Sequence, residues 1–199
     1  KNIICACIIG VTALVAGQTV QGVKMEQRVY KEVGDSELTL DIVSPEGHTS
    51  SSVVPCIVFF HGGGWNSGTP GQFHPQCVYF AKRGIVGITV QYRLKSTHGI
   101  SPDECVKDGK SAIRWVRSNA DELGIDPDRI IAGGGSAGGQ IAAIAGLGNG
   151  LNDTNDNLSV SAKPAALVLF NPALDAKPGS RIHRRVKDVW EDFSPMNNV

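Results

Sequence analysis

The sequence is short of charge imbalance, of aromatic residues and of metal-binding spacings, and each shortage removes a class of function. Nineteen Lys and Arg residues are balanced by nineteen Asp and Glu, so the 199-residue chain has no net charge. Nucleic acids and acidic polymers select a basic face, which this balance does not favour. No C-x-x-C or H-x-x-x-H spacing occurs, which leaves a metal site without support. No apolar run approaches the ~20 residues that a membrane-spanning helix needs. The 24 glycines are clustered and not periodic, which excludes collagen-like and low-complexity chains. What is present is a 41% hydrophobic content, too high for a disordered polar chain, in a length that suits one α/β domain or two very small ones.

The first residues read as an export leader. Lys1 precedes a mostly apolar stretch from Ile3 to Ala16, and Val15-Ala16-Gly17 offers small residues for cleavage. Residues 1–17 are therefore expected to be a signal peptide, the domain to occupy 18–199, and the mature protein to be secreted or periplasmic. The absence of an initiator Met predicts that the extreme N-terminus has been lost. Cys5 and Cys7 lie inside the apolar run and not at its end, against a lipid anchor. Cys56, Cys77 and Cys105 remain, an odd number that describes no disulfide framework. Export would permit one bridge, and the sequence does not choose its pair. Cys56 sits in an apolar run and reads as a buried small hydrophobe.

Residues 26–33 and 37–43 alternate as strands about a turn at Gly34-Asp35-Ser36. The continuous apolar runs 53–60, 85–90, 129–132 and 165–170 predict strands buried on both faces. Helices are expected over 73–83, 102–123 and 137–147, with a turn at Asp126-Pro127-Asp128 and a polar loop over 148–161. A hairpin followed by alternating strands and helices implies a mostly parallel sheet with helices on both faces. The segment after Pro172 has few apolar residues and no further strong strand.

Two motifs carry chemistry. Gly134-Gly135-Ser136-Ala137-Gly138 fits G-x-S-x-G between a predicted strand and a predicted helix. A strand that turns directly into a helix strains the residue at the turn and lifts its side chain clear of the sheet. The residues two before and two after must be small. The Ala137 amide then sits at a helix N-terminus, suited to an oxyanion. His61-Gly62-Gly63-Gly64-Trp65, immediately after a strand, offers further backbone donors. Gly133-x-Gly135-x-x-Gly138 also fits the dinucleotide pattern. Its strand is late in the chain, however, and the acids downstream, Asp153 and Asp156, fall in a polar loop. No Lys follows the glycines, which excludes a phosphate loop of the Walker type.

At these residues the sequence resembles the α/β-hydrolase superfamily, closest to hormone-sensitive-lipase-like and bacterial carboxylesterases. The resemblance rests on HGGGW at 61–65, Gln91-Tyr92-Arg93-Leu94, the run from Ala112 to Arg117, Gly124-Ile125-Asp126-Pro127 and GGSAGG at 134–139, in family order. It implies an α/β-hydrolase fold and hydrolysis of a carboxylic ester through an acyl-enzyme, without a cofactor. Ser136 would be the nucleophile, and Gly63, Gly64 and Ala137 the oxyanion donors, with Gly62 as their neighbour. In that family the acid and the His follow the Ser in chain order, each after a further strand. Ser194-Pro195-Met196-Asn197-Asn198-Val199 resembles the segment just before the strand that carries the acid. The domain is thus expected to lack its last strands and both triad partners, to hydrolyse little by itself and to expose an apolar edge. Asp175 is a weak candidate acid. His183, in the basic stretch 181–185, reads as a solvated surface residue. His61 reads as structural, and His74 and His98 as substrate contacts at most. Asp108 reads as a surface or packing carboxylate, Trp65 as a wall of the acyl pocket, and Arg93 and Asp126 as holders of loops. The substrate would be a small-molecule or polysaccharide-linked ester, such as a short acyl, acetyl or feruloyl ester. The reading from another class is a binding module that has kept the hydrolase fold.

Overall fold

The computed structural model describes residues 18–148 and 150–197, apart from residue 21; of residues 18–20 it describes only the backbone. The expected leader, residues 1–17, lies outside the described residues. The elements in chain order are β1 (Gln18–Val20), β2 (Val23–Val33), β3 (Ser36–Pro45), β4 (Val54–Phe60), α1 (His74–Ala81), β5 (Val86–Val90), α2 (Lys95–His98), α3 (Pro102–Ser118), α4 (Ala120–Leu123), β6 (Ile125–Gly135), α5 (Ala137–Leu147), β7 (Ala166–Phe170), α6 (His183–Val186) and α7 (Trp190–Phe193). The strands form one sheet in the order β1-β2-β3-β5-β4-β6-β7. β1, β2 and β3 enter antiparallel, and β5, β4, β6 and β7 run parallel.

Alternation along β4 shows how the sheet is covered. Cys56, Val58 and Phe60 join a core with residues of α3 and α5. Ile57 and Phe59 join a second core with Phe73, Cys77 and Ala81 beside α1. Helices therefore pack on both faces, and the central parallel strands read as uninterrupted apolar runs for that reason. From β4 the chain goes outward to β5, then returns across β4 to form β6 on its other side. The carboxyl ends of β4 and β6 thus flank a topological switch point, where open α/β sheets leave a crevice.

Several local features depart from simple patterning. The helix predicted over 102–123 breaks at Asn119, whose side-chain amide donates to the Trp115 carbonyl at 2.7 Å and competes with the helix ladder. The Asp126–Asp128 turn survives as a bulge. β4–β6 pairing jumps from Val54–Ile125 to Cys56–Ile130, and the Asp126 carboxylate holds the loop by accepting from the Asp128 amide and the Arg129 guanidinium. A bulge between Val29 and Lys31 lets both Tyr30 and Lys31 face α3. The Tyr30 hydroxyl donates to the Gln91 carbonyl, and Lys31 reaches the fully buried Asp108 at 2.8 Å. The Arg93 guanidinium and main-chain amide also donate to Asp108, and Glu104 accepts a further bond from Arg93. Asp108 is thus a buried hub and not a surface carboxylate. Burial works to raise the Asp153 carboxyl, but the hydrogen bond from Lys31, the Asn155 amide and the charges of Lys31 and Arg93 together hold it below the usual value; the Lys31 contact ties the 148–161 loop to the hairpin.

Two further expectations are corrected. β7, expected to be buried on both faces, is only partly so, because among the described residues it pairs with β6 alone. The segment after Pro172 is better packed than its composition suggested, with Val186 and Phe193 buried in the main core. Among the described residues no helix is long and apolar enough to cross a membrane.

Candidate active site

β4 delivers the first half of the site. Its last residue, Phe60, leads into His61, which is buried, stacks on Tyr92 at a centroid distance of 4.2 Å and directs Nδ1 at the Gly62 carbonyl, 2.8 Å away. The Tyr92 hydroxyl donates to the His61 carbonyl at 2.7 Å. Burial pushes the His61 imidazole below its ordinary value, so it is neutral near pH 7. It is a clamp on the loop, as the sequence suggested. Gly63 has φ +128°, and a Cβ there would lie 1.9 Å from the Ser67 carbonyl oxygen, so only glycine lets the loop close. Trp65 is buried against the edge of Phe193 and donates from Nε1 to Gln140 Oε1 at 3.3 Å. The Gln140 side-chain amide in turn donates to the Phe193 carbonyl at 2.8 Å.

β6 and α5 deliver the second half. Ser136 stands between them at φ 52°, ψ −112°, a conformation that non-glycine residues rarely adopt. Strain of this kind costs about 1–3 kcal/mol and persists only where the surroundings impose it. They do so through the Ser136 amide, which donates to the Phe170 carbonyl at 2.9 Å, and its carbonyl, which accepts from Gln140 and Ala173. The flanking glycines are required sterically. A Cβ on Gly134 would lie 2.5 Å from the Gly138 carbonyl carbon, and one on Gly138 would lie 2.0 Å from the Phe60 oxygen.

The two halves meet. A Cβ on Gly62 would lie 3.7 Å from the Ser136 Cβ, which puts the glycine loop beside the serine. The Gly62 amide is already occupied, donating to Gln72 Oε1 at 2.7 Å. Among the described residues the amides of Gly63, Gly64 and Ala137 meet no protein acceptor. A cavity of about 720 Å³ opens on the flank of this loop, lined by Gly63, Gly64 and Trp65 and by residues of α2, of the α3 N-terminus and of α6.

The remaining expected residues lie elsewhere or are otherwise engaged. None of the five imidazoles is hydrogen-bonded to Ser136: His48 faces the Leu123 carbonyl, His74 pairs with Asp41, His98 accepts from the Leu94 amide, and His61 is the loop clamp. His183 is not the solvated residue expected. It is partly buried, with Nδ1 3.0 Å from the Ala176 carbonyl and its ring against the edge of Trp190. The Asp175 carboxylate accepts from the Lys177 amide and ammonium, which lower its pKa. Cys56, Cys77 and Cys105 are all buried free thiols, and no bridge joins them. Gln72, Gln140 and Arg185, which order the glycine loop, were not anticipated. Each acts across a gap in sequence that leaves no local pattern.

A family model, BD-FAE, matches residues 40–176. The chain belongs to that family. The BD-FAE match spans the hairpin end, both motifs and β7, which agrees with the α/β-hydrolase fold and the hormone-sensitive-lipase-like carboxylesterase resemblance. The apo form of Thermogutta terrifontis esterase 2 superposes with a TM-score of 0.85 at 40% identity, over 92% of this chain and 69% of that one. An AB hydrolase superfamily protein of Schizosaccharomyces pombe is 39% identical over 76% of this chain and 42% of its own length. Carboxylesterase NlhH of Mycobacterium tuberculosis is 40% identical over 46% of this chain and 28% of its own. The chain thus spans less than half the length of these curated relatives. Structures of the Thermogutta esterase show that protein phosphorylated by paraoxon and bound to propionate and to butyrate.

Proposed function

We propose that this chain carries the nucleophile and oxyanion hole of an exported serine carboxylic-ester hydrolase. The observation that carries the reading is Ser136 held at positive φ between Gly134 and Gly138, beside a glycine loop with unspent amides. In the reaction, Ser136 Oγ attacks the ester carbonyl carbon, and the carbonyl π pair moves to oxygen. That oxyanion is held by the amides of Gly63, Gly64 and Ala137. Gly62 is left out, because its amide is spent on Gln72. Collapse of the tetrahedral species expels the alcohol oxygen, which takes up the proton that Ser136 Oγ gave to the general base, and leaves an acyl-Ser136 that water cleaves to the free acid, returning a proton to Ser136 Oγ. Fixed amides in a site shielded from water are worth about 10²–10³ in turnover per donor. Removing the Ser136 proton needs a general base, and among the described residues no imidazole is hydrogen-bonded to Ser136.

Short acyl chains are the favoured substrates on this reading, supported by the propionate and butyrate bound to the Thermogutta esterase. Export follows from the lysine, apolar run and small residues of the first 17 positions; N-terminal sequencing of the secreted protein tests it. The catalytic test is Ser136→Ala in the complete native polypeptide. Turnover of 4-nitrophenyl butyrate should fall by roughly 10⁴-fold or more with the fold intact by circular dichroism. Near-normal turnover would contradict the assignment.

A further inference from the structure

The cavity beside the glycine loop differs in charge from the chain as a whole. The chain is neutral, yet among the described residues the only charged side chains lining this cavity are Lys95, Arg184 and Arg185. Among the described residues none of the three has a carboxylate within salt-bridge distance, whereas Arg93, Lys107 and Arg114 all do. The acids of the bordering helix are spent elsewhere: Glu104 is paired with Arg93 and Lys107, and Asp103 with Lys107. The acids that follow Arg185 in sequence, Asp188, Glu191 and Asp192, line a different cavity. Arg185 is also fixed, donating from Nη1 to the Gly64 carbonyl at 3.1 Å. Three uncompensated cations around a concave wall raise the local concentration of anions and steer them inward.

We infer that this site selects esters carrying a negatively charged group, a carboxylate on the acyl or the alcohol side, which Lys95, Arg184 and Arg185 receive while the ester carbonyl meets the Gly63–Gly64 amides. The inference rests on the hydrolase reading above and names its substrate class. The carbonyl would sit on the loop and the anion beyond it, so one loop would serve both reaction and selection.

The test compares matched esters with the complete native polypeptide. Mono-4-nitrophenyl adipate is set against 4-nitrophenyl hexanoate for an acyl-side anion. The ester 3-carboxyphenyl butyrate is set against phenyl butyrate for an alcohol-side anion. One anionic ester should show about tenfold higher kcat/KM than its neutral partner, and the ratio should fall towards one in 0.5 M NaCl and in the variant Lys95→Gln/Arg184→Gln. A calorimetric measurement on Ser136→Ala, comparing monomethyl adipate with methyl hexanoate, reads selection without turnover. Turnover of neutral esters with no anionic preference in either pair or in calorimetry overturns this inference and leaves the hydrolase reading standing. Preferential anion binding without turnover of any ester overturns the hydrolase reading and keeps the anion site. Failure of both overturns both.

Discussion

β4 and β7 are both short apolar runs in the parallel part of one sheet, yet five of the seven residues of β4 are buried whereas β7 has none buried and leaves Phe170 46% exposed. Composition does not separate them; position does. β4 has strands on both sides and cores on both faces, while β7 has β6 on one side. The comparison teaches that an apolar run reports a strand and that its depth is set by its neighbours. The edge still matters to the site. The Phe170 carbonyl at the end of β7 accepts from the Ser136 amide, and Ala173 donates back to the Ser136 carbonyl, so the strained turn is braced from the less buried side.

The contrast is broken most severely at the crossing of β4 and α5. Gly138→Val should abolish folding or cost more than ~4 kcal/mol, because the new Cβ would lie 2.0 Å from the Phe60 oxygen. Phe170→Ala at the edge should cost about 1 kcal/mol, since that ring has little burial to lose. Urea denaturation of both variants checks the difference, and equal losses would refute the distinction between centre and edge.

A second expected effect concerns charge. Asp108→Ala should cost about 3 kcal/mol, since it removes the buried carboxylate shared by Arg93 and Lys31 and leaves them only Glu104 and Asp153 as partners. Asp175→Asn, which removes the exposed pair with Lys177, should leave the urea midpoint unchanged.

A smaller effect is set by pH. Burial raises the Cys77 thiol to about 12 from an ordinary value of 9.0. A folded value above the unfolded one gives stability that is full below pH 9 and is lost as pH climbs towards 12. The urea midpoint of the parent should therefore fall between pH 8.5 and 10.5, by the equivalent of ~2 kcal/mol from this group. Cys77→Ala should lack that part of the fall; an identical pH profile would contradict it.

Much of this architecture was legible because it is local. The runs of β4 and β5, the small-residue α5 and the glycines at 134 and 138 follow from periodicity and from the steric demands of a strand-to-helix turn. What escaped was set by distant partners. Phe193 is buried because Trp65 and Gln140 receive it from far away in sequence. Gln72 reaches back ten residues to the Gly62 amide, and Arg185 crosses 121 residues to the Gly64 carbonyl. None of these contacts has a period, and Gln72, Gln140 and Arg185 would each read equally well as solvated. The break at Asn119 and the partial burial of His183 were missed for the same reason: a side chain found a carbonyl that no local pattern announces.

The central claim is that the strained serine between the two glycines is the reacting atom's owner. Its most direct test is to treat the complete native polypeptide with a fluorophosphonate and map the adduct by peptide mass spectrometry. The account predicts one stoichiometric phosphonyl group on Ser136, absent in Ser136→Ala and slowed by competing butyrate ester. An adduct on another residue, or a native fold that takes up no label, would contradict it.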